Sequence, residues 1–235
     1  MRWSHLLFAH WPVPPDQLRP HVPAALEIDT FEGGAWIGVV PFGMAGVRVR
    51  RLPSVPGTTS FLELNVRTYV LPRDGDAAGE RSPGVWFFSL DAGSRLVVRV
   101  ARLWYGLPYF DARMRMDALC PATPATPVRY TSERTHPGAP PASLDAVYAP
   151  VGPPVRSHAN SLEHFLTERY RLYAQRAGVL RVAAVKHVPW PLQPAEAEFR
   201  SNTMTAPLHI RLPDTRPLLH YVARLDVLAS RPRPV

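Results

Sequence analysis

Proline sets the strongest limit on this chain: 28 of them are spread over the whole 235 residues. Each fixes φ and removes a backbone donor, so the sequence is cut into short pieces that suit strands and loops better than long helices. The length suits one large barrel or sandwich, and residues 1–235 are expected to form one domain. No repeat with a solenoid or propeller period is visible.

Period-two alternation is clearest over residues 61–71, with Leu62, Leu64, Val66, Thr68 and Val70 on one face and Glu63, Asn65, Arg67 and Tyr69 on the other. After a turn-rich connection, residues 85–91 alternate again, which predicts that the two segments pair. Further strands are expected over residues 35–42, 128–134, 180–187 and 218–228. Two segments read as helix. In one, Asn160 and Glu163 resemble a capping box, Leu162, Phe165, Leu166, Arg169 and Tyr173 recur at helical spacing, and Gly178 stops the run. This predicts a helix over 160–176, with Asn160 as its cap. Residues 94–106 have a cap in Ser94 and a terminator in Gly106, set against three valines that favour a strand.

Composition narrows the partners. Hydrophobic residues at 46% and charged residues at 20% allow a packed core. Cys120 is the only cysteine and no signal-peptide pattern opens the sequence, so a cytoplasmic location is expected. Apolar runs are too short for a membrane span, and no membrane partner is expected. The net charge of +8 comes almost entirely from arginine, with Lys186 the single lysine. Only Arg48, Arg50 and Arg51 cluster, so specific nucleic-acid binding is not expected, though weak attraction through a basic surface is an alternative. No histidine or cysteine spacing suggests a metal, and no glycine-rich, Walker or Gly-x-Ser-x-Gly pattern suggests a nucleotide cofactor or serine hydrolysis. No cofactor is expected.

Residues 61–70, 86–92, 107–109, 165–170 and 187–192, occurring in this order, resemble the YqjF-like family of uncharacterised bacterial proteins in the acetoacetate decarboxylase-like superfamily. The resemblance implies an α+β, mostly β fold: a curved, partly closed barrel or cone of antiparallel strands with a few helices, enclosing a ligand pocket. It implies no particular reaction. In acetoacetate decarboxylases the catalytic lysine sits in a Gly-x-Pro-Lys turn after a helix, and the similar segment here is Gly106-Leu107-Pro108-Tyr109. A phenol forms no imine, so that chemistry is not expected at this position.

The pocket candidates are Glu63, Asn65, Arg67, Asp91, Tyr109, Arg169, His187 and Trp190. If the polar face of residues 61–71 lines the barrel, Glu63, Asn65 and Arg67 form a row of acceptor, amide and cation, which suits a carboxylate or carbonyl ligand. A solvent-facing row is the alternative. Asp91 is placed to pair with Arg67 or Arg95, and Arg169 to meet an acid such as Glu63 or a ligand anion. His187 stands where a strand breaks into a proline turn before Trp190. Lys186 reads as a strand-end lysine with its head in water. These residues point to an unknown small organic ligand, bound by a non-imine enzyme or by a binding protein. A homo-oligomeric interaction module built on edge strands is the alternative.

Overall fold

The structure, a computed structural model, describes residues 1–47, 59–75, 81–119 and 126–235. The Arg48, Arg50 and Arg51 cluster and Cys120 lie outside these. In chain order the elements are β1 (Arg2–Val13), the single turn α1 (Pro15–Leu18), β2 (Leu26–Ile28), β3 (Ala35–Ala45), β4 (Ser60–Pro72) and β5 (Gly84–Ala92). Then come α2 (Arg95–Tyr105), β6 (Tyr109–Ala118), β7 (Val128–Arg134), β8 (Ser143–Pro150), α3 (Leu162–Thr167), β9 (Arg171–Arg176) and β10 (Val179–Lys186). β11 (Gln193–Asn202), β12 (Leu218–Asp226) and the short β13 (Leu228–Ala229) and β14 (Arg233–Pro234) complete the order. No helix among the described residues is long and apolar enough to cross a membrane.

Nine strands close into a barrel in the order β5-β6-β7-β8-β11-β12-β1-β3-β4, and the β4–β5 ladder seals the ring. Two pairings, β5 with β6 and β5 with β9, run parallel rather than antiparallel. A parallel pair needs a long crossover, and α2 supplies it between β5 and β6. The β9–β10 hairpin, with β13 and β14 on its far edge, branches from the same strand β5.

Inside the ring, Leu7, Ala9, Ile37, Val39, Leu64, Val66, Tyr130, Leu144, Ala146, Tyr148 and Tyr221 form one buried cluster. The members of β4 in that cluster are Leu64 and Val66, so Glu63, Asn65, Arg67 and Tyr69 turn away from the barrel's interior. This corrects the expectation that the polar row lines the inside. The row is buried all the same, because a second layer lies over that side of the barrel. Trp190, Leu192 and Val185 pack on Phe8, Val40 and Phe42. Leu90 and Tyr109 meet Val98 of α2 and Ala174 of β9, and Leu166 of α3 packs on Tyr69.

The helix expected over 160–176 is six residues long instead, and its cap is Ser161, whose side chain accepts from the His164 amide. Asn160 has a positive φ of 65° and lies before the cap. The backbone leaves the helix at Glu168, and residues 171–176 extend as β9 because Leu172 and Tyr173 complete the edge of β5. Ala177 and Gly178, both with positive φ, form the tight turn into β10. Tertiary pairing here overrides a helical spacing. By contrast α2 is helical despite its valines, and Gly106 caps it in the left-handed conformation with φ 66°.

At the branch point Gly84 leaves no room for a side chain: an added Cβ would lie 2.6 Å from the Tyr173 ring and 2.7 Å from the Arg171 carbonyl oxygen. Gly84→Ala therefore forces the β5 and β9 backbones apart and costs roughly 2 to 3 kcal/mol. Urea unfolding of the variant checks this, and an unchanged midpoint would mean that the contact is not tight.

Candidate functional site

The layer between barrel and cover holds the polar residues. Glu63 sits on β4 opposite Phe42 of β3 and Ala92 of β5, and only 2% of its surface is exposed. Tyr109 opens β6 immediately after the turn that ends α2. The amide of Leu90 donates to the Pro108 carbonyl, which docks this turn on β5, and Arg102 donates to the Tyr109 carbonyl. So placed, the Tyr109 hydroxyl donates to Glu63 Oε2 at 2.7 Å in a fully buried contact. The Asn65 amide also turns toward the Glu63 carboxylate.

Burial drives the Glu63 carboxyl up to about 7, against the hydrogen bonds from Tyr109 and Asn65, which favour the anion. Burial also holds the Tyr109 phenol well above its ordinary value, and the neighbouring Glu63 adds to that. The pair thus combines a carboxyl that exchanges its proton near neutrality with a phenol that keeps its own.

Farther along the face, Arg67 is buried, with its guanidinium 5.1 Å from the Phe8 ring and 5.8 Å from the Tyr69 ring. It makes no ion pair among the described residues, and its Nε has no hydrogen-bond partner. The Tyr69 hydroxyl takes a hydrogen bond from Arg67 and lies 2.6 Å from His10 Nε2. His10 is wholly buried, and burial followed by the nearby Arg67 and His220 keeps its imidazole well below the usual range and neutral. Sequence reasoning missed His10, Tyr69 and His220 as part of this cluster. The available signal was a histidine set in the unbroken apolar run of β1.

The other candidates are dispersed. Asp91 faces the barrel's interior and pairs with Arg134 of β7 at 2.7 Å, not with Arg67 or Arg95. Arg169 lies beyond α3 and pairs with Asp29 at 2.6 Å, not with Glu63, while its guanidinium rests 4.2 Å from the Phe165 ring. His187 lies between Tyr170 and Trp190, with tilted rings and centroids at 4.8 and 4.5 Å. It is the one candidate that lines a cleft of about 810 Å³, shared with Met1, Ala45, Thr59, Lys186 and Asp226. Trp190 is buried beneath it, against Phe8 and Trp3. Lys186 ends β10, exposed and paired with Leu228. The row Glu63, Asn65, Arg67 and Tyr109 is therefore the part of the prediction that the fold assembles in one layer.

Comparison with known proteins agrees with this architecture. The family DUF2071, described as an uncharacterized conserved protein, matches residues 1–226. The protein YqjF of Bacillus subtilis is 43% identical over 226 residues, covering 96% of this chain and 88% of YqjF. Among solved structures, the enduracididine biosynthesis enzyme MppR complexed with pyruvate superposes with a TM-score of 0.62 at 13% identity, covering 99% of this chain and 88% of that one. Acetoacetate decarboxylase from Legionella pneumophila superposes with 0.58 at 12% identity, covering 100% and 86%. These likenesses show an acetoacetate decarboxylase-like fold.

The Glu63 carboxyl yields a stability signature. Its folded value, near 7, is above the ordinary carboxyl value of 4.5, so the folded protein binds the proton more tightly than the unfolded chain does. The stability tied to this group is fully present below about pH 4.5 and is lost as pH rises through about 7. That amounts to roughly 3 kcal/mol. Unfolding free energies from urea titrations of the parent chain and Glu63→Gln, measured from pH 4.5 to 8, should diverge by about this amount, with the parent falling. Parallel curves would place an ordinary carboxyl at position 63.

Proposed function

The chain belongs to the DUF2071 family, and on that premise we propose that it binds a small carbonyl or carboxylate compound beside Glu63 and Tyr109 and acts on it by acid/base chemistry without an imine. The observation that carries this reading is the buried 2.7 Å hydrogen bond from Tyr109 to Glu63. A carboxyl that titrates near neutrality can take a proton from a carbon next to a carbonyl and return it, since neither of its forms is scarce at working pH. Tyr109 keeps its proton and donates a hydrogen bond to Glu63, which orients the carboxylate before it takes the proton; the negative charge then passes to the enolate oxygen of the ligand. The fold neighbour MppR has pyruvate bound, and a small oxo-acid is accordingly the class of ligand to begin with.

Imine chemistry has no lysine beside Glu63 to use. The turn after α2 ends in a tyrosine, and the only lysine stands at the exposed end of β10, on the open cleft. The reading takes residues 1–235 as one unit.

Two measurements test it. Pyruvate incubated with the protein in D₂O should exchange its methyl hydrogens faster than in buffer, as followed by proton NMR. Glu63→Gln should slow that exchange about 100-fold. Borohydride added to the same mixture should leave Lys186 at its unmodified mass. Exchange unaffected by Glu63→Gln, or a reduced adduct on Lys186, would sink the proposal.

A further inference from the structure

Helix α2 carries an apolar face that nothing among the described residues covers. Leu96, Val100, Leu103 and Trp104 recur at i, i+4, i+7 and i+8, which sets them in one stripe, and they are 50, 38, 63 and 53% exposed. The opposite side of the helix, through Val98, Ala101 and Tyr105, packs on the cluster of Leu90 and Tyr109. Exposed apolar residues scattered singly need no explanation, whereas four large ones in a stripe do.

A second stripe runs beside the first. Arg95, Arg99 and Arg102 follow the same spacing one residue earlier, all three exposed, and no acidic residue occurs between Asp91 and Asp111. Arg102 donates to the Tyr109 carbonyl and its guanidinium lies 5.6 Å from the Phe110 ring, which ties the C-terminal end of the row to β6. Three cations without a carboxylate on the same helix call for an anionic surface. A second copy of α2 offers them no counter-charge, so pairing two copies through this face leaves every arginine unmatched.

A bilayer with anionic headgroups meets both stripes at once. Its acyl boundary takes Leu96, Val100 and Leu103, the indole of Trp104 suits the headgroup level, and lipid phosphates accept from the guanidinium forks. We infer that α2 lays the protein on an anionic membrane surface, with the apolar stripe inserted and Arg95 and Arg99 against the phosphates. The apolar runs of the sequence are too short for a helical span, and an 11-residue helix lying in the interface needs none. The inference goes beyond the function proposed above and does not depend on it, since neither Glu63 nor Tyr109 belongs to either stripe.

Sedimentation of the full chain with vesicles tests it. The protein should pellet with vesicles of equal parts phosphatidylcholine and phosphatidylglycerol and stay in solution with phosphatidylcholine alone. Arg95→Gln combined with Arg99→Gln should weaken binding about 30-fold. Removing the same charge from Arg211 and Arg224, which are exposed and lie just before and on β12 at the far side of the ring, should weaken it less than about threefold. Leu103→Ser combined with Trp104→Ser should weaken binding about 100-fold. Its urea midpoint should stay level, because both side chains are more than half exposed. Equal binding to the two kinds of vesicle, equal loss from the two arginine pairs, or binding unchanged by the Leu103 and Trp104 substitutions overturns the inference. So does a lowered midpoint in that variant, or a dimer seen by light scattering that it dissolves, because the stripe would then already be covered by protein.

Discussion

Burial of both faces of β4 is the constraint from which the rest of the arrangement follows. One face fills the barrel with Leu64 and Val66, and the other puts a carboxyl, an amide and a guanidinium under the outer layer. An ionisable group in such a place must be compensated or must stay neutral. Glu63 shifts its titration and takes the Tyr109 hydroxyl. Arg67 rests against ring faces and one phenol oxygen. Asp91 and Arg134, inside the barrel, neutralise each other. Of these three solutions only that of Arg67 is incomplete.

The turn between α2 and β6 governs the chemistry. Gly106 in the left-handed conformation swings the chain off the helix, and an added Cβ there would lie 3.0 Å from Arg176 Cβ, so the turn is held against β9 from outside. This fixes the side chain at position 109 opposite Glu63. An amine at that point would be a nucleophile, whereas a phenol is a hydrogen-bond donor with no covalent reaction toward a ketone.

Much of the barrel was legible because proline and alternation speak for local structure. β4, β5, β7 and β12 fall where period-two patterns put them. The two longest proline-free intervals, 84–107 and 155–188, hold the only described helices longer than one turn. Less legible was anything fixed by a distant partner. Residues 171–176 carry helical spacing and become a strand because β5 needs an edge, a demand written eighty-odd residues away. Alternation also divides β4 into two faces without saying which is inside, since that depends on where the ring closes. The same holds for the ion pairs: Asp91 finds Arg134 and Arg169 finds Asp29, each across a fold that no spacing predicts.

One ladder of the ring, β1 with β12, joins segments far apart in the sequence, with Leu6 opposite Val222 and Phe8 opposite His220. During synthesis at roughly 5 to 20 residues per second, β1 waits on the order of ten to forty seconds for this partner. It can pair with β3 early, but its other edge, carrying Phe8 and His10 on the site face, stays open until β12 has emerged. A nascent chain that stops short of β12 thus holds every residue of the Glu63 and Arg67 row and has no wall to complete it. The site comes into being only with the last strand of the barrel.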